Sequence, residues 1–139
     1  NNLFGLWSQW RNEANKKETK MRTLNDYFLQ TTMPDISTSG STTYVAVPDK
    51  GRIIKVIAVQ EGAITGANAA VNIKTSQSGS SNVTGGTITI LHASDAVGDV
   101  NTSAPTALND VNDGDFIQVI TDNASTGACA LKITFVIRR

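Results

Sequence analysis

The sequence predicts a mainly β protein: an antiparallel β-sandwich, jelly-roll-like, carrying an N-terminal, partly helical arm. Three observations lead there. The stretch Gly51–Gly62 holds five β-branched Ile or Val residues between two glycines, the pattern of one long strand. Shorter alternating runs bounded by Gly, Pro and Asn-Asp-Gly signals recur on both sides of it, at the spacing of a sandwich. Residues 62–127 show no helical periodicity, so an α/β fold lacks the helices it needs. Charged residues make up only 17% of the chain, and Ser, Thr, Asn and Gly replace them, as in a turn-rich β protein.

The first 30 residues differ in kind. Leu3, Phe4, Leu6, Trp7 and Trp10 contain the i, i+3, i+4, i+7 spacing of an amphipathic helix, although Gly5 weakens it. A polar run from Arg11 to Met21 follows, and Leu24, Tyr27 and Phe28 start a second apolar stripe that Thr23 or Asn25 would cap. Thr31–Thr42, with Pro34, Gly40 and many hydroxyl residues, reads as a linker. The division is therefore 1–41 for arm and linker, and 42–139 for the sandwich. Leu3, Phe4, Leu6, Trp7, Trp10, Tyr27 and Phe28 are the candidate partner-binding residues, because an apolar terminus ahead of a charged spacer suits an arm that grips something else; docking of the same aromatics on the chain's own β domain is the alternative.

From Thr42 the elements follow in turn. Thr42–Val47 is a short strand stopped by Pro48, and Pro48–Gly51 turns the chain into the long strand. There Ile54, Val56 and Ala58 share one face and Ile53, Lys55, Ile57 and Val59 the other. Both faces are largely apolar, which predicts cover on both sides. Ala69–Thr75 points Val71 and Ile73 inward. Thr87–Leu91 alternates after Gly85-Gly86. Residues 93–108 form a polar connection. Asn112-Asp-Gly114 turns the chain into Asp115–Thr121, and Gly127 precedes a closing strand over Ala128–Ile137. Ile54, Val56, Ile73, Ile88, Ile90, Val119, Ile133 and Phe135 are expected in the core.

Charge is unevenly placed. Residues 1–22 carry five basic groups against Glu13 and Glu18, hence +3, while residues 23–139 carry seven basic and ten acidic groups, hence −3. Lys16, Lys17 and Lys20 are assigned an electrostatic steering role toward an acidic surface. A segment interrupted by glutamates is a poor footprint for nucleic acid, and none is expected as a partner. No apolar run approaches the roughly 18 residues of a membrane span, so no membrane partner is expected. The start of the sequence lacks a signal-peptide pattern.

Catalytic chemistry finds no constellation. His92 is the single histidine, and no nucleophile-elbow pattern accompanies it. One His and one Cys cannot fill a zinc site. Setting Gly114 at the sixth position of a calcium loop puts Val111 at the third and Ile120 at the twelfth, where carboxylates belong. Cys129, the single cysteine, reads as a small buried hydrophobe. No enzyme, metal or cofactor is expected.

A set of turn and strand signatures from Thr43 onward carries a family resemblance. Tyr44-Val-Ala-Val-Pro48 opens it, followed by Lys55-Val56, Glu61-Gly-Ala-Ile-Thr65 and Gly85-Gly-Thr-Ile-Thr-Ile90. Gly98-Asp-Val100, Pro105-Thr-Ala107, Asn109, Val111, Gly114-Asp115, Ile117-Gln-Val119 and Thr121-Asp122 continue it. These residues resemble the capsid decoration, or cement, proteins of tailed bacteriophages, small virion proteins with a β-sandwich body. The resemblance implies a non-enzymatic structural protein, assembled in the host cytoplasm. It would sit on the outer capsid surface of the virion, bind the major capsid protein, and associate with itself as a homotrimer. The family has no catalytic residues to carry over, and the first 40 residues have no counterpart in it. A receptor-binding or fibre-tip module recognising a host-surface ligand is the alternative.

Overall fold

A computed structural model describes residues 25–37, 40 and 42–139. Among these, nine strands form two antiparallel sheets: β1 (Asp26–Met33), β2 (Thr42–Ala46), β3 (Gly51–Gln60), β4 (Ala69–Thr75), β5 (Ile88–Ile90), β6 (Val100–Ser103), β7 (Asp110–Val111), β8 (Phe116–Thr121) and β9 (Leu131–Arg138). One sheet runs β1-β9-β3-β6, with β7 also paired to β3. The other runs β2-β8-β4-β5. No helix occurs among the described residues, and therefore none long and apolar enough to cross a membrane.

The core lies between the sheets. Period-two alternation supplies it from both sides: Leu131, Ile133, Phe135 and Ile137 of β9 are buried, as are Val71 and Ile73 of β4 and Ile117 and Val119 of β8. Of the expected core residues, Val56, Ile73, Ile88, Ile90, Val119, Ile133 and Phe135 are all buried. Ile54 is not.

A β-bulge accounts for Ile54. The pairing of β3 with β9 runs Ile53↔Ile137 and then Lys55↔Val136, so Ile54 is the extra residue. The shift turns Ile53 inward beside Val56 and Ala58, and all three are fully buried. The buried side chain of Asn109 holds the bulge, donating from Nδ2 to the Ile53 carbonyl at 2.7 Å. The Ile53 amide donates to the Asn109 carbonyl at 2.9 Å. The far face of β3 is less covered than expected: Ile54, Ile57 and Val59 are only half-buried among the described residues.

The segment before Thr42 also departs from expectation. Asp26–Met33 is a strand paired with β9 along its whole length, from Asp26↔Arg138 to Met33↔Leu131. The helical stripe expected to start at Leu24, Tyr27 and Phe28 is thus corrected from Asp26 onward. Tyr27, Leu29, Thr31 and Met33 turn inward at strand spacing, and β-branched and aromatic residues fit a pleated edge better than a helix. The expected linker is anchored as well. Ile36 is fully buried and its amide donates to the Cys129 carbonyl at 2.9 Å. The Asp35 carboxylate accepts from the Ser37 amide and hydroxyl, each at 2.9 Å, and from the Cys129 amide at 3.3 Å. These donors, the Ser37 amide foremost, hold the Asp35 carboxyl below its usual range. The helical arm itself falls on residues outside the described ones.

Two substitutions test the bulge. Ile53→Asp should unfold the protein, because an unpaired buried charge costs about 3–5 kcal/mol of a small total. Ile54→Asp should keep a cooperative thermal melt by circular dichroism. Equal losses at the two positions would contradict the register shift. Asn109→Leu leaves the Ile53 carbonyl without its side-chain donor and should cost about 1–3 kcal/mol, read as a lower urea midpoint at unchanged slope.

Candidate functional site

The sandwich has two ends. At one, the start of β1, the start of β3, β7 and the end of β9 meet; at the other lie the segments after β1, β3 and β8 and the loop before β6. The chain enters the described fold at the first end, where the Arg139 amide donates to the Asn25 carbonyl at 3.2 Å.

Of the expected partner-binding residues, Leu3, Phe4, Leu6, Trp7 and Trp10 lie outside the described residues, as do Lys16, Lys17 and Lys20. Tyr27 and Phe28 fall on β1, and alternation sends them to opposite faces. Tyr27 packs against the core, and its hydroxyl donates to the Asp49 carbonyl. The Arg139 guanidinium lies 5.2 Å from its ring centroid. Burial, and next the Asp49 carboxylate, push the Tyr27 phenol above its usual range. Phe28 is 65% exposed on the outer face of its sheet, opposite Val136 in the register. Half-buried Ile57 and Val59 and exposed Val100 lie on the same face, interspersed with Gln30, Lys55, Lys132 and Thr134.

The outer face of the second sheet carries another exposed pair. Tyr44 and Phe116 meet edge to face with centroids 5.5 Å apart, a diagonal cross-strand contact. Gln118 Nε2 donates to the Tyr44 hydroxyl at 3.3 Å. The sequence signal for this pair was the alternation of β2 and β8, which points Tyr44 and Phe116 away from the core.

A third feature was missed in the sequence. At the first end, a concavity of about 820 Å³ is lined by Lys50, Arg52, Arg138 and Arg139, with Gly51 and Ile54 among its other walls. Gly51 is required there, since a Cβ would sit 2.6 Å from Ile137 Cγ2. Arg52 Nε pairs with Asp110 at 3.0 Å and Arg139 Nε with Asp49 at 2.8 Å. Arg138 binds both Asp26 oxygens, at 2.9 and 3.0 Å. That pairing holds the Asp26 carboxyl below its usual range. The available signal was the pair of cations flanking Gly51 and the two arginines at 138 and 139.

His92 and the carboxylates near it and near Gly114 build turns. His92 is exposed, with Nδ1 2.9 Å from Asn68 Oδ1. Asp95 accepts from the Leu91 amide at 2.7 Å and Asp99 from the Ala96 amide at 2.8 Å. Asp115 accepts from the Asn112 amide at 2.8 Å and from Gln77 at 3.0 Å. Among the described residues no group of three or more His, Cys, Asp or Glu is placed to hold a metal. Cys129 is buried, its thiol donates to the Gly62 carbonyl at 3.3 Å, and burial raises its pKa.

The described residues thus define a two-sheet β-sandwich with a mixed outer face that exposes Phe28 and Val100, an aromatic pair and a basic concavity. No family model and no curated protein matches the sequence. Solved structures do share the fold. A chain of the acidic stable capsid structure of Helicobacter pylori bacteriophage KHP30 is 17% identical with a TM-score of 0.57, over 82% of this chain and 87% of that one. The catalytic unit of a GH87 alpha-1,3-glucanase from Streptomyces thermodiastaticus is 9% identical with a TM-score of 0.52. That match covers 84% of this chain and 26% of the enzyme chain.

Asp26→Asn tests the staple between β1 and β9. A carboxyl lowered on folding adds stability above its unfolded value of 3.8, and that stability is lost as pH falls through the folded value. The variant should therefore melt lower than the parent at neutral pH. The gap should close in acid below pH 3.8, as followed by thermal denaturation across a pH series.

Proposed function

We propose that this chain is a structural virion protein that attaches to the outer surface of a bacteriophage capsid and stabilises it. In this reading it is non-enzymatic and takes no cofactor. It has a jelly-roll-like body and a partly helical arm. The observation that carries the reading is the end-to-end likeness to a chain of a phage capsid, which spans 87% of that chain. The decoration-protein signatures between Tyr44 and Asp122 support it, and several have structural reasons: Asn109 holds the bulge, and Gly114 turns the chain with a φ of 85°. The glucanase likeness covers 26% of that enzyme chain.

The arm grips the major capsid protein through Leu3, Phe4, Leu6, Trp7 and Trp10, with exposed Phe28 at its root, while Lys16, Lys17 and Lys20 steer it; Tyr27, packed on the core, anchors the strand instead. A homotrimer would use the face that carries Phe28, Ile57, Val59 and Val100. The receptor-binding alternative is favoured by one observation, the exposed Tyr44–Phe116 pair beside Gln118.

Trp7→Ala with Trp10→Ala in the full chain should leave the melting temperature unchanged and abolish co-sedimentation with capsids. Buried aromatics at an interface contribute about 2 kcal/mol or more each. Truncation should stop at Leu24, because removing Asp26–Gln30 deletes half of β1 and would unfold the sheet for an unrelated reason. A double variant that melts far lower would mean that the tryptophans cover this chain's own sheet. Antibody labelling of intact particles separates the two functions: many copies over the shell for decoration, a few at a tail or vertex for receptor binding.

A further inference from the structure

The lysines and arginines of the described residues are sorted between the two ends of the sandwich, while the ten carboxylates divide evenly, five at each end. Asp35, Glu61, Asp95, Asp99 and Asp122 lie at the end away from Asn25, against Lys132 alone, a balance of −4. The entry end holds Lys50, Arg52, Arg138 and Arg139 around the concavity. Residues 1–22, with their balance of +3, join the fold at this same end. Nine of the twelve lysines and arginines therefore belong either to residues 1–22 or to the lining of the concavity.

We propose that the concavity formed by Lys50, Arg52, Arg138 and Arg139 is a docking site for an acidic segment of a partner protein, recognised through its side-chain carboxylates. This deepens the capsid reading above and rests on it for the identity of the partner. The ion pairs at the site orient its donors without using them up. Arg52 and Arg139 each hold a carboxylate through Nε, so their terminal nitrogens have no hydrogen-bond partner among the described residues. Both side chains are at least half exposed. A guanidinium anchored at Nε presents its remaining N–H groups in a fixed plane, the geometry that a carboxylate accepts. Lys50 Nζ has no ion pair among the described residues and adds a mobile charge.

A protein segment fits better than a nucleic acid. Asp26, Asp49 and Asp110 are interleaved with the cations, and Asp113 and Asp115 stand on the adjoining turn. These carboxylates would repel a continuous row of phosphates, whereas a peptide places its acidic groups singly and can avoid them. Half-buried Ile54, the residue displaced by the bulge, offers an apolar contact between the charged positions. The −4 charge at the far end turns the body so that the basic end approaches an acidic surface first.

The test is fluorescence anisotropy on the full chain with a labelled peptide whose glutamates are separated by neutral residues, beside an oligonucleotide of equal charge. The peptide should bind in a salt-sensitive way and more tightly than the oligonucleotide. Lys50→Gln with Arg52→Gln should weaken it about tenfold. Lys50→Gln alone touches no ion pair, so a partial loss in that single variant confirms the site even if the double variant folds poorly. Unchanged peptide affinity in both variants, or tighter binding of the oligonucleotide, overturns the proposal. Peptide binding by a chain that fails to co-sediment with capsids sustains the site and removes the capsid reading alone.

Discussion

The pair of hydrogen bonds between Asn109 and Ile53 decides which residues of the central strand face the core. β3 is the strand that β9, β6 and β7 all pair with, so an error in its facing spreads through the sheet. In a regular strand Ile53 and Val56 point to opposite sides. The extra residue at Ile54 brings them to the same side, and the bulge leaves the Ile53 carbonyl in need of a donor. Asn109 supplies it from two residues before Val111, and the pairing Gly51↔Val111 follows directly. A single buried amide thus sets the register of β7, the inward turn of Ile53 and the exposure of Ile54 at the basic concavity.

Much of this was legible in the sequence. The long strand, the alternation of β4, β5 and β8 and the turn at Asn112–Gly114 rest on period-two patterns with glycine punctuation, which survive without tertiary information. The bulge does not show in that pattern, because Ile53 and Ile54 are equally apolar and only the distant Asn109 distinguishes them. β1 was hidden for a similar reason: Tyr27 and Phe28 fit a helical stripe with Leu24 as well as they fit a strand, and only pairing with β9 decides. β6, Val100–Ser103, carries one apolar residue in four and was absorbed into a polar connection. The basic concavity gathers residues from four separate parts of the chain, none of which is unusual alone.

The polar groups follow one economy throughout. Carboxylates that might have served chemistry at Asp35, Asp95, Asp99 and Asp115 accept backbone amides in turns. Satisfying those donors locally lets long loops pack on a small core. What the fold leaves free for contact is mostly outside: a mixed sheet face, an aromatic pair, and guanidinium nitrogens at one end. Such a distribution suits binding across surfaces more than enclosing a substrate.

The position of β1 also fixes how the molecule would bear a load. β1 begins at the entry end, so tension on the leading segment pulls along the strand axis. With the body restrained at its far end, the eight residue pairs from Asp26↔Arg138 to Met33↔Leu131 are sheared together. They are not peeled one after another. Shear spreads force across the whole ladder, and the two-pronged Asp26–Arg138 contact sits where that force enters. Rupture would then be governed by the rate of unfolding. An edge strand can in this way act as a mechanical clamp, holding the sandwich intact while its tether is pulled.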